Sequence, residues 1–172
     1  DPRGKRYEYE FDQRNRNKKV TYPPGTRGVT TETMAFDGFG NMVLRTDANG
    51  RTHEFEHDAL NRVIEETHRE ADGALMDRIL RRYDGRGNVT RVESLVTGVT
   101  ADYTINNLGE VTRVDWSLMG VFWRRVSYTF DGVGNRAGMI GPEGEVVEYT
   151  HDRSNRLTSM SREGEVVATM EY

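Results

Sequence analysis

The chain has 172 residues, a net charge of −4 and no cysteine, which excludes a basic nucleic-acid-binding surface, disulfides, thiolate zinc sites and cysteine nucleophiles. Hydrophobic residues make up 35% of the chain and charged residues 30%, but it also holds 18 Gly, 8 Tyr and 6 Phe. This combination favours many short strands joined by tight turns. The sequence contains no long apolar run of the kind that crosses a membrane as a helix.

The first predicted elements are a strand at residues 7–11 and the turn after it. Tyr7, Tyr9 and Phe11 alternate with glutamates, which is the two-residue period of a strand with one buried and one solvated face. Asp12 follows, and an aspartate at this point can accept hydrogen bonds from the backbone of a tight turn. Asn15, three residues later, tolerates the positive φ that closes such a turn. The stretch therefore predicts a β-hairpin.

The same pattern returns six more times, with Asp or Asn at the first turn position and only Gly or Asn at the fourth. The strands before these turns keep the alternation, for example at residues 53–57, 126–130 and 147–151. We predict that the turn residues set the hairpin register; they are Asp12 and Asn15, Asp37 and Gly40, Asp58 and Asn61, Asp84 and Gly87, Asn106 and Gly109, Asp131 and Gly134, and Asp152 and Asn155.

A second, Gly-bearing turn separates successive copies. It falls at residues 23–28, 47–50, 71–74, 96–99, 118–121, 142–145 and 163–165. Each copy is therefore a strand, an Asp turn, a strand and a Gly turn, and seven copies give roughly 14 strands, with an eighth copy beginning before residue 172. The predicted fold is all-β: residues 1–172 form seven tandem hairpin repeats in one curved antiparallel sheet, with no separate second domain.

The spacing of the copies shows a second level of repetition. The intervals between successive first turn positions are 25, 21, 26, 22, 25 and 21 residues, so long and short copies alternate. The turn sequences differ as well: copies two, four and six carry Asp-Gly-x-Gly-Asn, and copies one, three and seven carry Asp-x-x-Asn-Arg. We infer a superrepeat of 46–48 residues that contains two hairpins.

Three turns contain Asp-Gly-x-Gly-Asn, at residues 37–41, 84–88 and 131–135, and three kinds of structure use such a motif. A phosphate-binding loop needs the glycines between a strand and a helix, but strands are predicted on both sides here. A calcium loop needs several converging carboxylates, and each turn supplies one. We therefore interpret the motif as turn geometry and predict no cofactor.

The histidines and carboxylates predict no metal ligands and no catalytic residues. His53 and His57 lie on one strand face about 13 Å apart along the strand, too far to share a metal ion whose ligand bonds are about 2 Å long. His57 and His151 occupy a position where other copies carry apolar or aromatic residues, so packed rings are expected there. His68 is expected to be exposed near a Gly turn. Nothing in the spacing of the carboxylates favours a glycosidase pair.

Trp116 and Trp123 are the two tryptophans, and they flank the turn at residues 118–121. Together with Met119 and Phe122 they make the densest apolar stretch of the chain. The rings either thicken the core where the sheet curves, or form a contact with a cargo, a sugar or a neighbouring strip. We retain both tryptophans as candidate contact residues.

The repeated pattern resembles the YD repeat of the RHS family (rearrangement hotspot proteins), which reads Tyr-x-Tyr-Asp-x-x-Gly-Arg-Leu and is followed by a Gly turn. Residues 9–12 (Tyr-Glu-Phe-Asp), 128–131 (Tyr-Thr-Phe-Asp) and 149–157 (Tyr-Thr-His-Asp-Arg-Ser-Asn-Arg-Leu) match it. Copy four departs from it with Arg81 at an aromatic position, and copy five departs with Asn106 and Glu110. The resemblance covers essentially the whole chain.

The resemblance implies a segment of a β-sheet shell that spirals around a C-terminal toxin or effector in bacterial polymorphic toxins, including type VI effectors and Tc insecticidal complexes. Such a protein would be secreted or at the cell surface, and cytoplasmic before delivery. Its partners would be the other YD repeats, the enclosed toxin and components of a secretion system, not nucleic acid. The segment would have no enzymatic activity. Its inner face would carry Tyr9, Phe11, Phe36, Phe55, Tyr83, Tyr103, Tyr128, Phe130 and Tyr149.

The alternative interpretation is a cell-surface, adhesin-like repeat module that binds carbohydrate or a partner cell. Burial distinguishes the two, because exposed and clustered aromatic rings favour binding, whereas rings interleaved with other side chains favour a wall. A third interpretation, a metal-dependent or glycosidic enzyme, requires carboxylates or histidines that converge from different strands.

Overall fold

The structure, a computed structural model, describes residues 6–23 and 31–172. In these two stretches it contains fifteen β-strands and no helix. The strands pair antiparallel, so the predicted all-β fold of tandem hairpins is confirmed. Nothing helical in the described part of the chain is long and apolar enough to pass through a bilayer.

The strands follow one another with short turns between them. They are β1 (Glu8–Phe11), β2 (Asn17–Thr21), β3 (Thr31–Phe36), β4 (Met42–Thr46), β5 (Thr52–His57), β6 (Val63–Arg69), β7 (Leu75–Tyr83), β8 (Val89–Ser94), β9 (Val99–Ile105), β10 (Val111–Leu118), β11 (Val121–Phe130), β12 (Arg136–Ile140), β13 (Val146–His151), β14 (Leu157–Arg162) and β15 (Glu165–Thr169). Each copy contributes two strands, and β15 is the first strand of an eighth copy, which explains the one strand beyond seven pairs. The predicted Gly turn at residues 23–28 lies outside the described residues, apart from Pro23.

The order of strands in the sheet is their order in the chain, from β1 to β15. The chain divides into two compact units, Asp1–Arg81 with Ser94–Val96, and Arg82–Glu93 with Thr97–Tyr172. The first unit contains β1 to β6 and most of β7, and the second contains most of β8 and all of β9 to β15. A single domain of seven repeats over residues 1–172 stays a prediction.

A β-bulge follows the Asp turn in each hairpin whose register is defined. In the first hairpin Glu10 lies opposite Lys19 but Phe11 lies opposite Asn17, so Lys18 is an extra residue. The extra residue is always the sixth after the first turn position; these residues are Lys18, Val43, Ile64, Thr112, Ala137 and Thr158. A bulge is a conserved way to shift the register of a strand without breaking the sheet. Here it decides which residues of the second strand face the aromatic residues of the first.

The two faces of the sheet differ in composition. In each unit we call the face that carries the alternating aromatic residues, such as Tyr9, Phe55, Tyr103, Tyr128 and Tyr149, the aromatic face, and the opposite one the polar face. The buried apolar residues of the described chain are Val20, Ala101, Val114 and Val147. All lie on the aromatic face, since Val20 is opposite Tyr9 and Val114 opposite Tyr103, and the other two precede aromatic residues by two positions on their own strands. Cross-strand contacts on this face form the core.

Candidate functional site

The Asp turns share one hydrogen-bond arrangement, which Asp58 illustrates. Its Oδ1 accepts from the backbone N–H groups of Leu60 at 2.9 Å and Arg62 at 3.0 Å. Its backbone carbonyl accepts from the N–H of Asn61 at 3.0 Å, and its Oδ2 accepts from Nε of Arg62 at 2.8 Å. One carboxylate therefore satisfies three donors that the turn leaves unpaired. The same contacts to Oδ1 occur at Asp12, Asp37, Asp84, Asp131 and Asp152.

The fourth turn position has a positive φ in all seven copies. Asn15, Asn61 and Asn155 have φ of 60°, 61° and 60°, within the left-handed region that asparagine tolerates. The glycines at this position, Gly40, Gly87, Gly109 and Gly134, have φ from 86° to 102°. Such wider values favour glycine over any residue with a Cβ. The two residue types therefore correspond to two slightly different turn conformations.

The fifth turn position supplies a donor to the carboxylate, and copy five reverses the direction of this bond. The donors to Oδ2 are Arg16, Arg62 and Arg156 through Nε, and Asn41, Asn88 and Asn135 through Nδ2. In copy five, Asn106 Nδ2 donates to Glu110 Oε2 at 2.6 Å. The acceptor and the donor have exchanged places. The two departures of copy five from the family pattern therefore form a matched pair.

The turns of neighbouring copies contact one another through asparagine. Asn41 at the fifth position of copy two donates to Oδ1 of Asn61 in copy three at 2.8 Å. Asn135 in copy six donates to Asn155 in copy seven at 3.1 Å. Copies three and seven carry Asn at their fourth position, where it accepts these bonds. This contact gives a physical reason for Asn, and not Gly, at the fourth position of copies three and seven.

Arginines at the third turn position make a second kind of contact between turns. Arg14 donates to the carbonyl oxygen of Gly38 at 2.7 Å, and Arg86 donates to that of Asn107 at 2.8 Å. In both cases the acceptor is the second residue of the next turn. Because each carbonyl is a backbone group, the contact fixes the position of the next turn whatever side chain it carries.

The predicted inner-face aromatic residues lie on the aromatic face, and none of them is fully buried. Tyr9 and Phe11 are 56% and 53% exposed, and the other seven are half-buried. Arginine side chains cover part of the rings: Arg16 lies 4.4 Å from the centroid of Phe36 and Arg136 lies 4.5 Å from that of Tyr128. The half-buried rings are thus interleaved with other side chains. That they line the inside of a wall stays a prediction.

The two tryptophans occupy different environments. Trp116 lies on the aromatic face opposite Ala101 and is half-buried. Trp123 is the extra residue of a bulge between β10 and β11, is 56% exposed, and has Arg124 at 4.7 Å from its ring centroid. Phe122 beside it is 58% exposed. Trp116 is therefore a half-buried ring on the aromatic face, whereas Trp123 belongs to an exposed apolar patch of the kind that marks contacts.

A groove of about 520 Å³ on the polar face of the first unit is lined by glutamates and arginines. Arg78 holds Glu65 through two bonds of 2.5 Å and 2.8 Å, and Nε of Arg69 lies 3.6 Å from Glu54. The hydrogen bond from Arg78 lowers the pKa of Glu65 below its ordinary value. A general acid needs a raised pKa, so this carboxylate is suited to an ion pair and not to proton donation.

One group of side chains in the described part of the chain has the geometry to hold a metal ion: His53, Glu66 and His68, with ligand atoms within 4.8 Å of one another. The spacing of the histidines along the chain predicts no metal ligands, and the position of His68 near a Gly turn predicts an exposed ring. The His68 side chain is instead 24% exposed and bonded to Glu66. The hairpin register pairs it with His53 across two strands, a contact that spacing within one strand does not reveal.

Comparison with known proteins finds likeness in structure and not in sequence. No protein-family model matches the chain, and no curated protein sequence matches it. The crystal structures of TcdB2-TccC3-Cdc42 and TcdB2-TccC3-TEV both match with a TM-score of 0.77, at 14% and 15% identity. Each match covers 90% of this chain and 9% of the other. The crystal structure of TcdB2-TccC3 matches with a TM-score of 0.52 at 12% identity, over 91% of this chain and 11% of the other.

The chain has the fold of a short segment of these Tc toxin chains. Tc complexes are among the proteins that carry YD repeats, so the predicted resemblance to the RHS/YD-repeat family is confirmed at the level of the fold. The chain spans only 9% of the length of the first two matched chains, so the match does not assign their assembly or activity to it.

The matched pair in copy five predicts the effect of restoring the usual aspartate. Asn106→Asp would place a carboxylate beside Glu110 and remove the donor of the 2.6 Å bond, which should lower the free energy of unfolding by about 1 kcal/mol. Adding Glu110→Asn recreates the Asp and Asn pair of copies two, four and six, and it should bring the free energy of unfolding back to that of the unaltered chain. The measurement is urea unfolding of the single and double variants.

Asn107→Asp is the matched control, since it makes the same chemical change one residue along in the same turn. It should leave the free energy of unfolding nearly unchanged. If Asn106→Asp and Asn107→Asp had equal effects, or if Glu110→Asn failed to rescue the first, the pairing would have no energetic role.

The Asp turns also predict the acid stability of the chain. The side chain of Arg62 holds the pKa of Asp58 below its ordinary value, and that of Asn88 does the same for Asp84. A carboxyl group whose pKa is depressed by folding stabilises the folded state above its unfolded pKa of about 3.9, and the contribution disappears as pH falls through the lower folded value. Stability should therefore fall as the pH drops below about 4.

Urea unfolding between pH 7 and pH 2.5 measures this fall. Asp58→Asn removes one of the depressed groups, so its stability should depend less on pH below about pH 4 than that of the unaltered chain. Equal pH dependence of the two proteins in that range would show that the turn carboxylates do not contribute.

The environments of the tryptophans predict unequal effects of the same substitution. Trp116→Ala should lower the free energy of unfolding by about 2 kcal/mol, because it removes a half-buried ring from the aromatic face. Trp123→Ala should cost less than about 1 kcal/mol, since that ring is mostly in contact with solvent and with Arg124. Each variant is the control for the other in one denaturation series. Equal losses would contradict the placement of Trp123 outside the core.

Proposed function

We propose that the chain is a wall segment of a larger shell that encloses a C-terminal toxin or effector in a secreted bacterial protein. The observation that carries the proposal is the TM-score of 0.77 over 90% of the chain to a segment that is only 9% of a Tc toxin chain. A chain that matches, over nearly its whole length, a short segment of a much longer chain is suited to be one piece of a repetitive wall. The proposal gives the chain no catalytic step and no cofactor.

The local geometry supports a steric role. Hairpins in a wall must keep a fixed position relative to one another, and bonds between neighbouring turns, such as Asn41 to Asn61 and Arg86 to Asn107, serve that purpose. The aromatic face carries the buried apolar residues and would form the lining of the wall. Strands at the two ends of the order, β1 and β15, would pair with further repeats, because open strand edges associate readily.

The proposal assigns a contact role to the exposed patch around the second tryptophan. Phe122 and Trp123 are 58% and 56% exposed, and Met119 is 81% exposed. Exposed apolar clusters with a neighbouring arginine are enriched at protein interfaces. In a shell this patch would contact a neighbouring strip or the enclosed protein, while Trp116 would support it from the aromatic face.

The second candidate is a surface module that binds carbohydrate or a partner cell. The exposure of Tyr9, Phe11 and Trp123 favours it, because an accessible ring can stack on a sugar. The two functions differ in the fate of the aromatic face in the whole protein. In a shell that face is enclosed, whereas in a binding module it is open to solvent.

Cysteine accessibility in the full-length protein tests this difference, because the chain itself has no cysteine. Tyr9 is 56% exposed and the side chain of Glu10 is 50% exposed, yet the two residues lie next to each other on opposite faces. Tyr9→Cys and Glu10→Cys are therefore a matched pair. Each would be placed in a full-length protein whose other cysteines are removed, and labelled with a maleimide coupled to a large polyethylene glycol.

A shell predicts that Glu10→Cys is labelled quickly and Tyr9→Cys slowly, with the two rates equal after denaturation. Equal rates in the folded protein would overturn the enclosed wall and favour the binding module. The sequence of the reading frame on both sides of the chain gives an independent check: further repeats followed by an unrelated C-terminal domain support a toxin shell, whereas a surface anchor supports the module.

A further inference from the structure

Two histidines and a glutamate meet on the aromatic face of the first unit. His53 on β5 lies directly opposite His68 on β6, and Glu66 lies two residues before His68 on the same strand face. The two rings are 4.3 Å apart between centroids, with 48° between their planes. The β5–β6 hairpin is closed by the Asp58 turn and its bulge, so this arrangement is set by backbone register and not by flexible loops.

The ligand atoms of the three side chains converge. Glu66 Oε1 lies 2.5 Å from Nε2 of His68 and 3.9 Å from Nδ1 of His53, and the three ligand atoms lie within 4.8 Å of one another. The side chains are only 29%, 17% and 24% exposed for His53, Glu66 and His68. Ligands in a tetrahedral zinc site with bonds of about 2.05 Å lie about 3.3 Å apart. Small side-chain rotations, without movement of the strands, would bring the observed distances to that value.

Arg81 orients the carboxylate of this group. Its guanidinium donates to Glu66 Oε2 at 2.8 Å, which leaves Oε1 directed at the two histidines. A second residue that orients a ligating carboxylate is a regular feature of protein metal sites.

We propose that His53, Glu66 and His68 form a binding site for a divalent transition-metal ion, with zinc as the best fit. Two imidazoles and one carboxylate are a ligand set that zinc uses, with a water molecule in the fourth position. The ion would join β5 to β6 near the end of the hairpin remote from the Asp58 turn. The proposed site does not depend on the shell function, because its residues belong to one hairpin and the adjacent strand.

The same residues could instead form an ion pair that binds no metal. Glu66 already accepts from His68 and Arg81, and Arg45 lies opposite His53 on the neighbouring strand. Two arginines near the site reduce its attraction for a cation. We therefore expect binding weaker than at an all-protein structural zinc site, and a fourth position that stays open to solvent.

The experiment is a titration of the intact chain with zinc chloride and, separately, cobalt chloride. Cobalt in a tetrahedral site absorbs visible light strongly, so its spectrum reports the ligand geometry directly. We expect one ion per chain, and a melting temperature that rises with zinc concentration because the ion binds only the folded state. Glu66→Gln and His68→Phe should each weaken binding at least tenfold, which corresponds to about 1.4 kcal/mol.

His57→Phe is the matched control. It removes the other histidine of the same strand face, four residues from His53, and introduces the residue that copies one and two carry at that position. This variant should bind both ions as tightly as the unaltered chain. Circular dichroism confirms that the strands of each variant are formed before binding is compared.

Two results would overturn the proposal. One is that the unaltered chain binds neither ion when metal is present in tenfold excess. The other is that Glu66→Gln and His68→Phe bind with the affinity of the unaltered chain, which would place the ion elsewhere on the surface. The site is supported if Glu66→Gln and His68→Phe keep their fold but lose the cobalt spectrum, while His57→Phe retains it.

Discussion

The hydrogen bonds accepted by the first side chain of each Asp turn are the constraint on which the rest of the structure depends. In the turn of Asp58, one carboxylate oxygen binds two backbone N–H groups and the other binds the side chain at the fifth position. This closes a turn of fixed length, and the bulge that follows shifts the second strand by one residue. The shift places Glu66 opposite Phe55, and in the last copy Met160 opposite Tyr149. Turn chemistry therefore decides the composition of the aromatic face.

The alternation of copies follows from contacts between turns. An Asn at the fifth position of one copy needs an acceptor in the next, and Asn61 and Asn155 provide it. Where the fourth residue of a turn has a φ near 90°, as at Gly134, the backbone favours glycine, and glycine has no side chain to accept this bond. In copies two and three, and in copies six and seven, two successive hairpins are thus joined by one side-chain bond between their turns. This contact accounts for the pairing of copy two with copy three and of copy six with copy seven, since neither hairpin alone carries both halves of it.

Much of the fold could be predicted from the sequence because the two-residue period and the turn residues are local signals. The bulge could not, since the residues that form it, such as Lys18 and Ala137, share no chemical type. The exchange of donor and acceptor between Asn106 and Glu110 was visible only as a departure from the pattern. The contact of His53 with His68 required the register of a whole hairpin. Spacing along one strand tests residues two or four apart, and this pair is joined only through the turn.

The aromatic face of the first unit carries charged pairs where the second carries apolar residues. Glu32, which is 8% exposed, accepts from Arg45 and from the hydroxyl of Tyr22, and Glu66 accepts from Arg81. The corresponding cross-strand positions in the second unit include Val114 and Met139.

Ion pairs of low exposure seldom stabilise a protein more than well-packed apolar residues do. Stability alone therefore does not explain these pairs. The donors to Glu32 are an arginine and a tyrosine, whereas Glu66 presents its remaining oxygen to two imidazoles. This difference favours a binding role for Glu66 and Arg81.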